Sequence, residues 1–263
     1  VGDLPTTGII TVDHSPPDSV LAIGAHPDDI EFGCGATLAK WAAAGCRIHH
    51  LILTDGSKGS WDPDDDLGLL VAAREAESRL AAVVIDGKAT GGAGTDRVLF
   101  LGRIDGELVN AIDERREVAR IIRRLRPAAL VGHDPWRRYR LHPDHRAAGF
   151  LMLDALVAAR DPHFFPELGL EPHRPEVLFL FEADLPNHVE DVSGFESQKV
   201  EALLCHRSQF ESTMGIPTDG GVDTDGASDG YTAFAAKVRH QLVEHGSLAD
   251  RTSGEAFHRI TEL

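Results

Sequence analysis

The chain has 263 residues, enough to bury a substantial core, and one α/β domain spanning 1–263 with a core over about 19–210 is expected rather than two small ones. A formal net charge of −16 argues against binding nucleic acid or an anionic membrane surface, both of which demand a basic face. The first 17 residues lack a basic segment followed by an apolar core, no apolar run approaches a membrane span, and Cys34, Cys46 and Cys205 form no CxxC pair, so a cytoplasmic protein with reduced thiols is expected.

In chain order, Val20-Leu21-Ala22-Ile23-Gly24 reads as a buried parallel strand, and Gly35 to Ala44 has the composition of the helix packed behind it. Arg47 to Thr54 reads as a second strand, which makes His49 and His50 strand residues rather than ligands. The acidic run Trp61 to Asp66 is a solvated loop leading into a helix over Leu69 to Ala82, with Leu70, Ala73, Ala76, Leu80 and Ala81 as its buried stripe and Arg74, Glu75 and Glu77 projecting. Ala89 to Arg97 is a Gly-rich loop, Val98 to Leu101 a strand, and Gly102 to Gly106 a turn that puts Asp105 just past that strand's end. A helix with Val118, Ile121, Ile122 and Leu125 at helical spacing is stopped by Pro127, ahead of a strand at Ala128 to Gly132. A helix from His145 to Arg160, a Pro-rich stretch from Pro162 to Pro175 and a strand at Val177 to Glu182 follow. The remainder, including an acidic Asp/Gly/Thr loop at Thr218 to Gly230, is expected to fold over the sheet. Alternation of helix and strand predicts a Rossmann-like, mostly parallel sheet with helices on both faces. Gly33-Cys34-Gly35 lacks the position and the third glycine of a dinucleotide fingerprint.

Two clusters carry the chemistry. His26-Pro27-Asp28-Asp29 follows the first strand and His142-Pro143-Asp144-His145 follows the strand at Ala128 to Gly132, and ligands of open α/β sheets bind where strands end. Asp28 or Asp29 alone has an ordinary reading as a helix cap, with Pro27 stiffening the turn. Two such clusters go further: a catalytic zinc takes about three nitrogen or oxygen ligands from the protein plus an open position for water, and these loops supply that set. His133-Asp134 lies beside them by strand logic without an assigned task.

The segments AHPDDIEFGCGATLAKW, LTDG, AREAE, FLGRIDGEL, HPDHRAAG and KVEALLCHRSQ, in this order, resemble the LmbE/PIG-L family of zinc-dependent N-acetylglucosaminyl deacetylases over about Val20 to Gln209. The resemblance implies His26, Asp29 and His145 as metal ligands and Asp28 as general base. A bound metal lowers the pKa of water, and a carboxylate that is not itself a ligand can take its proton. It further implies a protonated His142 stabilising the oxyanion, Asp144 orienting that ring and raising its pKa, and Arg74 and Asp105 contacting the sugar. Either Asp28 or His142 then protonates the leaving amine, and His206 closes the pocket rim. The competing readings are a cap for Asp144, a turn histidine for His142 and a helix-surface ion pair for Arg74 with Glu75 or Glu77. Histidine and carboxylate ligands suit Zn2+ and Fe2+ alike.

Three features depart from the family pattern: Ala36 replaces a glycine, Val84-Ile85-Asp86-Gly87 replaces a Leu-Gly, and Trp136-Arg137-Arg138-Tyr139-Arg140 precedes the second cluster. The last predicts a positive collar in which Arg137, Tyr139 and Arg140 hold an anionic amino-sugar substrate, against the alternative that these arginines pair with the protein's own carboxylates. The expected activity is deacetylation of an N-acetylglucosamine-type glycoside. An amidase of a larger thiol conjugate or antibiotic intermediate is the rival within the class, and a noncatalytic metal- or sugar-binding module the rival outside it. A homo-oligomer stays open.

Overall fold

Every residue of Ser19–Gly24 is buried, and alternate residues divide between two cores: Val20 and Ala22 pack on one side of the sheet with Trp41, Phe179 and Phe181, and Leu21 and Ile23 on the other with Met152, Leu151 and Val118. This two-sided burial makes a short, uninterrupted apolar run a central parallel strand. The computed structural model describes residues 10–87, 94–217 and 229–263. Its strands are β1 (Thr11–Val12), β2 (Ser19–Gly24), β3 (Arg47–Thr54), β4 (Val98–Arg103), β5 (Ala129–His133), β6 (Val177–Phe181), β7 (His188–Asp191) and β8 (Gly254–Ile260). They form one sheet in the order β1-β7-β8-β6-β5-β2-β3-β4. From β6 to β4 all pairs are parallel, with Val20 opposite both Ile48 and Ala129; β8 alone runs antiparallel, wedged between β6 and β7.

The helices are α1 (Asp29–Ala43), α2 (Leu67–Asp86), α3 (Ile112–Leu125), α4 (Pro143–Arg160), α5 (Glu196–Leu203) and α6 (Asp229–Ser247). Helices α1 and α2 supply Leu38, Trp41, Ala81 and Ile85 to one core, and α3 and α4 supply Val118, Ile122, Leu151 and Ala155 to the other. Gly33 lets α1 sit close on the sheet, since a Cβ there would stand 2.5 Å from the Phe181 ring. At Cys34 the helix breaks (φ −150, ψ 18), and the amides of Ala36 and Thr37, which open its second half, donate to the Glu255 carboxylate of β8 at 3.2 and 2.7 Å. Lys199 of α5 ties the joint, donating to Glu255 at 2.5 Å and to the Phe32 carbonyl at 2.7 Å.

The structure departs from the expected elements at four places. Helix α1 begins at Asp29, directly on the first cluster, and not at Gly35. The stripe read for α2 is rotated: Ala73, Ala76 and Leu80 are exposed, and Arg74, Ser78, Ala81, Ala82 and Ile85 face inward. Apolar counting failed there because the buried polar members are satisfied locally, Ser78 Oγ by the Arg74 carbonyl and the Arg74 guanidinium by the Gly56 and Pro27 carbonyls. The chain after Glu182 does not simply cover the sheet; it adds β7 and β8 to it. Trp61 to Asp66 is exposed as expected, but Asp66 also caps α2, accepting from Gly68 and Leu69. The loop reading for Ala89 to Arg97 falls outside the described residues up to 93, and that for Thr218 to Gly230 does so up to 228. Among the described residues no helix is long and apolar enough to cross a membrane.

Candidate active site

Strand β2 lies between β3 and β5, and the helices that follow on either side cover opposite faces, so the loops after β2 and β5 diverge and leave a crevice. A cavity of about 420 Å3 opens there, lined by His26, Asp28, Asp29, Arg74, Asp105, His142 and His145 among others. Both sequence clusters reach it, and so do the loops after β3, β4 and β6.

His26 Nδ1 stands 3.2 Å from His145 Nε2 and 3.3 Å from Asp29 Oδ2, and His145 Nε2 is 3.2 Å from Asp29 Oδ1. Donors disposed tetrahedrally about 2.0 Å from a shared centre stand about 3.3 Å apart. Two imidazole nitrogens and a carboxylate at this spacing have the chemistry and size to hold a divalent cation. The other edge of His26 is turned to carboxylates, Nε2 lying 3.1 Å from Asp105 Oδ1 and 3.2 Å from Asp144 Oδ2. Such a partner fixes the tautomer of a ligating histidine and raises its basicity. Burial pulls the His26 pKa down, but hydrogen bonds to Asp105, Asp144 and Asp29 lift it to about 12. Burial pushes Asp29 the other way, yet His145 and His133 hold it well below the usual carboxylate range.

Asp28 is buried and occupies the position before α1 with a left-handed backbone (φ 106), and its side chain makes no capping hydrogen bond. The cap reading therefore does not describe it. Instead its carboxylate faces Arg74 Nη2 at 3.6 Å. Burial raises its pKa to about 6 against the pull of the Arg74 charge. Arg74, itself buried, spends its closer contacts on the Gly56 and Pro27 carbonyls at 2.8 and 2.7 Å, so the surface ion-pair reading fails as well.

The second cluster is wired differently from expectation. His142 caps α4, its Nδ1 accepting from the Asp144 amide at 3.3 Å. The Asp144 carboxylate points away from that ring: fully buried, it accepts from Gly106 and Leu108 amides at 2.6 and 3.2 Å and reaches His26. Asp144 thus holds His26, not His142, and burial followed by the nearby His26 cation lowers the His142 pKa. Asp105 lines the cavity, but its Oδ1 is taken by His26 and its Oδ2 by the Lys58 amide.

The collar of free positive charge does not form. Arg137 donates to the Glu182 and Ala183 carbonyls, Arg138 pairs with Asp184, and Arg140 pairs with Glu182. Tyr139 is 94% exposed, and neither it nor Arg137 or Arg140 is among the residues lining the cavity. Arg138 and Arg140 thus meet carboxylates, whereas Arg137 meets backbone carbonyls.

Sequence reasoning left two residues without a task. His133, buried at the end of β5, places Nε2 3.1 Å from Asp29 Oδ2, and its ring stacks on His145 at 4.4 Å. Glu182, one residue past β6, lines the cavity and contacts His133 and Arg140. Their only signal was position: polar residues at the C-terminal ends of apolar strands. His206 is fully buried against Glu31, 3.5 Å away, behind the cavity and not at its rim.

The family described as PIG-L, GlcNAc-PI de-N-acetylase, matches residues 21–156. Diacetylchitobiose deacetylase of Thermococcus kodakarensis is 34% identical over 194 residues, 73% of this chain and 70% of that protein. A 1D-myo-inositol 2-acetamido-2-deoxy-alpha-D-glucopyranoside deacetylase of Streptomyces scabiei is 34% identical over 249 residues, covering 87% of this chain and 75% of that one. Among solved structures, N,N'-diacetylchitobiose deacetylase of Pyrococcus horikoshii, complexed with its inhibitor MPG, superposes with a TM-score of 0.79 at 26% identity over 93% of this chain and 84% of that one.

Proposed function

The chain belongs to the PIG-L family, and on that premise we propose that it is a metal-dependent hydrolase that removes the acetyl group from an N-acetylglucosamine-type glycoside. The observation that carries the reading is Asp28: a buried carboxylate beside the His26–Asp29–His145 triangle that neither joins it nor caps a helix. A structural zinc site is closed by four protein ligands and has no use for such a group.

In this proposal His26, Asp29 and His145 hold zinc, with iron the alternative that the same donors suit. The metal supplies Lewis acidity, lowering the pKa of water and polarising the acetamide carbonyl. Asp28, with a pKa near 6, takes a proton from the attacking water as the new C–O bond forms. His142 has Nδ1 engaged by the Asp144 amide, so the neutral ring carries its proton on Nε2 and offers it to the oxygen that gains charge. This task needs no imidazolium, which replaces the protonated ring of the sequence reading. When the C–N bond breaks, the proton held by Asp28 passes to the departing amine, leaving acetate and a free amino sugar.

Release of primary amine from N-acetylglucosaminides tests the reading, with chelated protein and the same protein restored with zinc. Restored protein is expected to turn over the sugar, and Asp28→Ala to lose about 100-fold or more in kcat while binding metal normally. Turnover confined to bulky thiol or antibiotic amides would shift the assignment to the rival amidase. Metal binding with no amide hydrolysed would leave a binding module.

A further inference from the structure

We infer that Glu182 is a substrate-binding residue whose carboxylate accepts a hydroxyl of the sugar, and that the cavity therefore selects uncharged sugars over anionic ones; this rests on the deacetylase reading above. Glu182 follows β6 with φ 53, in the left-handed region that residues with a side chain rarely enter. Such a conformation persists where the surroundings enforce it, and here they do: the Glu182 carbonyl accepts from Arg137 at 3.0 Å, and Oε2 faces Arg140 and lies 3.4 Å from His133 Nδ1. The turn brings Glu182 into the lining of the cavity that holds Asp28 and His145. No hydrogen bond to its second oxygen, Oε1, is found among the described residues, and the side chain is 34% exposed, within reach of a ligand in the cavity.

The charges of the cavity give this oxygen its meaning. Asp28, Asp29, Asp105 and Glu182 line it, against Lys58, Arg74 and His26, and the charge of His26, or of a metal held in its place, is already met by Asp29, Asp105 and Asp144 around that ring. Arg74 is bound to two carbonyls and faces Asp28, and Lys58 lies at the exposed edge, where it pairs with Glu107 at 3.0 Å. Arg137 and Arg140, the residues that suggested an anionic substrate, are bound to Glu182 itself. A phosphate or carboxylate entering beside Glu182 meets its carboxylate, whereas sugar hydroxyls are the donors that such a carboxylate takes.

The test compares zinc-loaded wild type, Glu182→Ala and Glu182→Gln on N-acetylglucosamine and on N-acetylglucosamine 6-phosphate, with metal content and melting temperature measured for each. Wild type is expected to favour the neutral sugar. Glu182→Ala should raise KM for it about tenfold or more, with kcat changed by less than about threefold, while lowering KM for the phosphate. Glu182→Gln keeps an acceptor and should recover most of the neutral-sugar KM. An unchanged KM with metal retained, a wild-type preference for the phosphate, or loss of metal in both variants would overturn the assignment, the last by making Glu182 a prop for His133 and Asp29. Direct binding of N-acetylglucosamine by calorimetry separates the two readings. If no variant hydrolyses the sugar, the deacetylase reading fails, and the Glu182 assignment stands only where wild type binds it and Glu182→Ala does not.

Discussion

Asp29, Asp105 and Asp144 crowd the first histidine of this site while Asp28 stands apart from it, and their roles differ with what else each touches. Asp29 faces two more imidazoles, His133 and His145, and Asp144 lies at the other ring edge with two backbone amides. Among the described residues the one ion pair of Asp28 is with a guanidinium at 3.6 Å whose better contacts lie elsewhere. Burial without close compensation is what lifts a carboxylate toward neutrality. The wiring of Asp144 gives a prediction: Asp144→Asn should weaken zinc binding about 10- to 100-fold, read by competition with a chelator, since it replaces an acceptor at His26 Nε2. Unchanged affinity would leave Asp105 as the sole support of that ring. His142→Ala, by contrast, should keep its metal and lose about 100-fold or more in kcat. Lost metal there would make His142 a ligand, an arrangement its nitrogen also allows, grouped with His26 and His145. The two clusters that line the cavity were legible in the sequence because each is contiguous. Their pairing was not: Asp144 is two residues from His142 but closes on His26, 118 positions away, through a fold that no local spacing encodes.

At the level of elements, the loop bearing the first cluster depends on a helix that is broken in the middle. Once α1 opens at Cys34, the amides of its second half need an acceptor, and Glu255 provides it from β8. Lys199 balances that carboxylate; both are almost fully buried. Breaking one side of such a pair strands a charge in the interior, so Lys199→Ala and Glu255→Ala should each cost about 3–5 kcal/mol in urea unfolding. The double variant should cost less than the sum, because removing both leaves no unpaired charge. Additive losses would mean that the two residues act apart. Little of this could be read ahead. The regular strands β2 to β6 announce themselves as apolar runs, but Gly254–Ile260 mixes glycine, charge and aromatic residues, and its place between β6 and β7 is fixed by long-range antiparallel pairing. Helix α2 likewise hides its inward face because Arg74 and Ser78 occupy it.

Across the whole molecule the fold buries histidines more than it uses them. Burial lowers the pKa of His14, His49, His50, His133, His142, His145, His173 and His245, the last to about 4. For each of these the unfolded chain takes a proton near pH 6.5 that the folded chain refuses, so stability falls as pH drops below that value. His26 and His206 run the other way, raised by carboxylate partners despite burial, but their contribution is fully present below 6.5 and is lost only as pH rises through their folded values. They add no slope on the acid side. The lowered carboxylates Asp13, Asp29, Glu31, Asp105 and Asp144 are ionised in folded and unfolded chains alike until pH approaches 4.5 and below, where their stabilisation begins to be lost. Only Asp28 and Asp86, raised by burial, gain protons in the fold on acidification and oppose the trend. Eight groups against two set the sign: the chelated protein should lose about 5 °C or more in melting temperature between pH 6.5 and pH 5. With the proposed ligation by His26 and His145, zinc should deepen that loss, because such binding requires both rings neutral and so weakens as protons compete. A melting temperature that holds steady or rises over this interval would show that these imidazoles take up protons in the folded state, and that the polar layer around the site is more open to water than its burial implies.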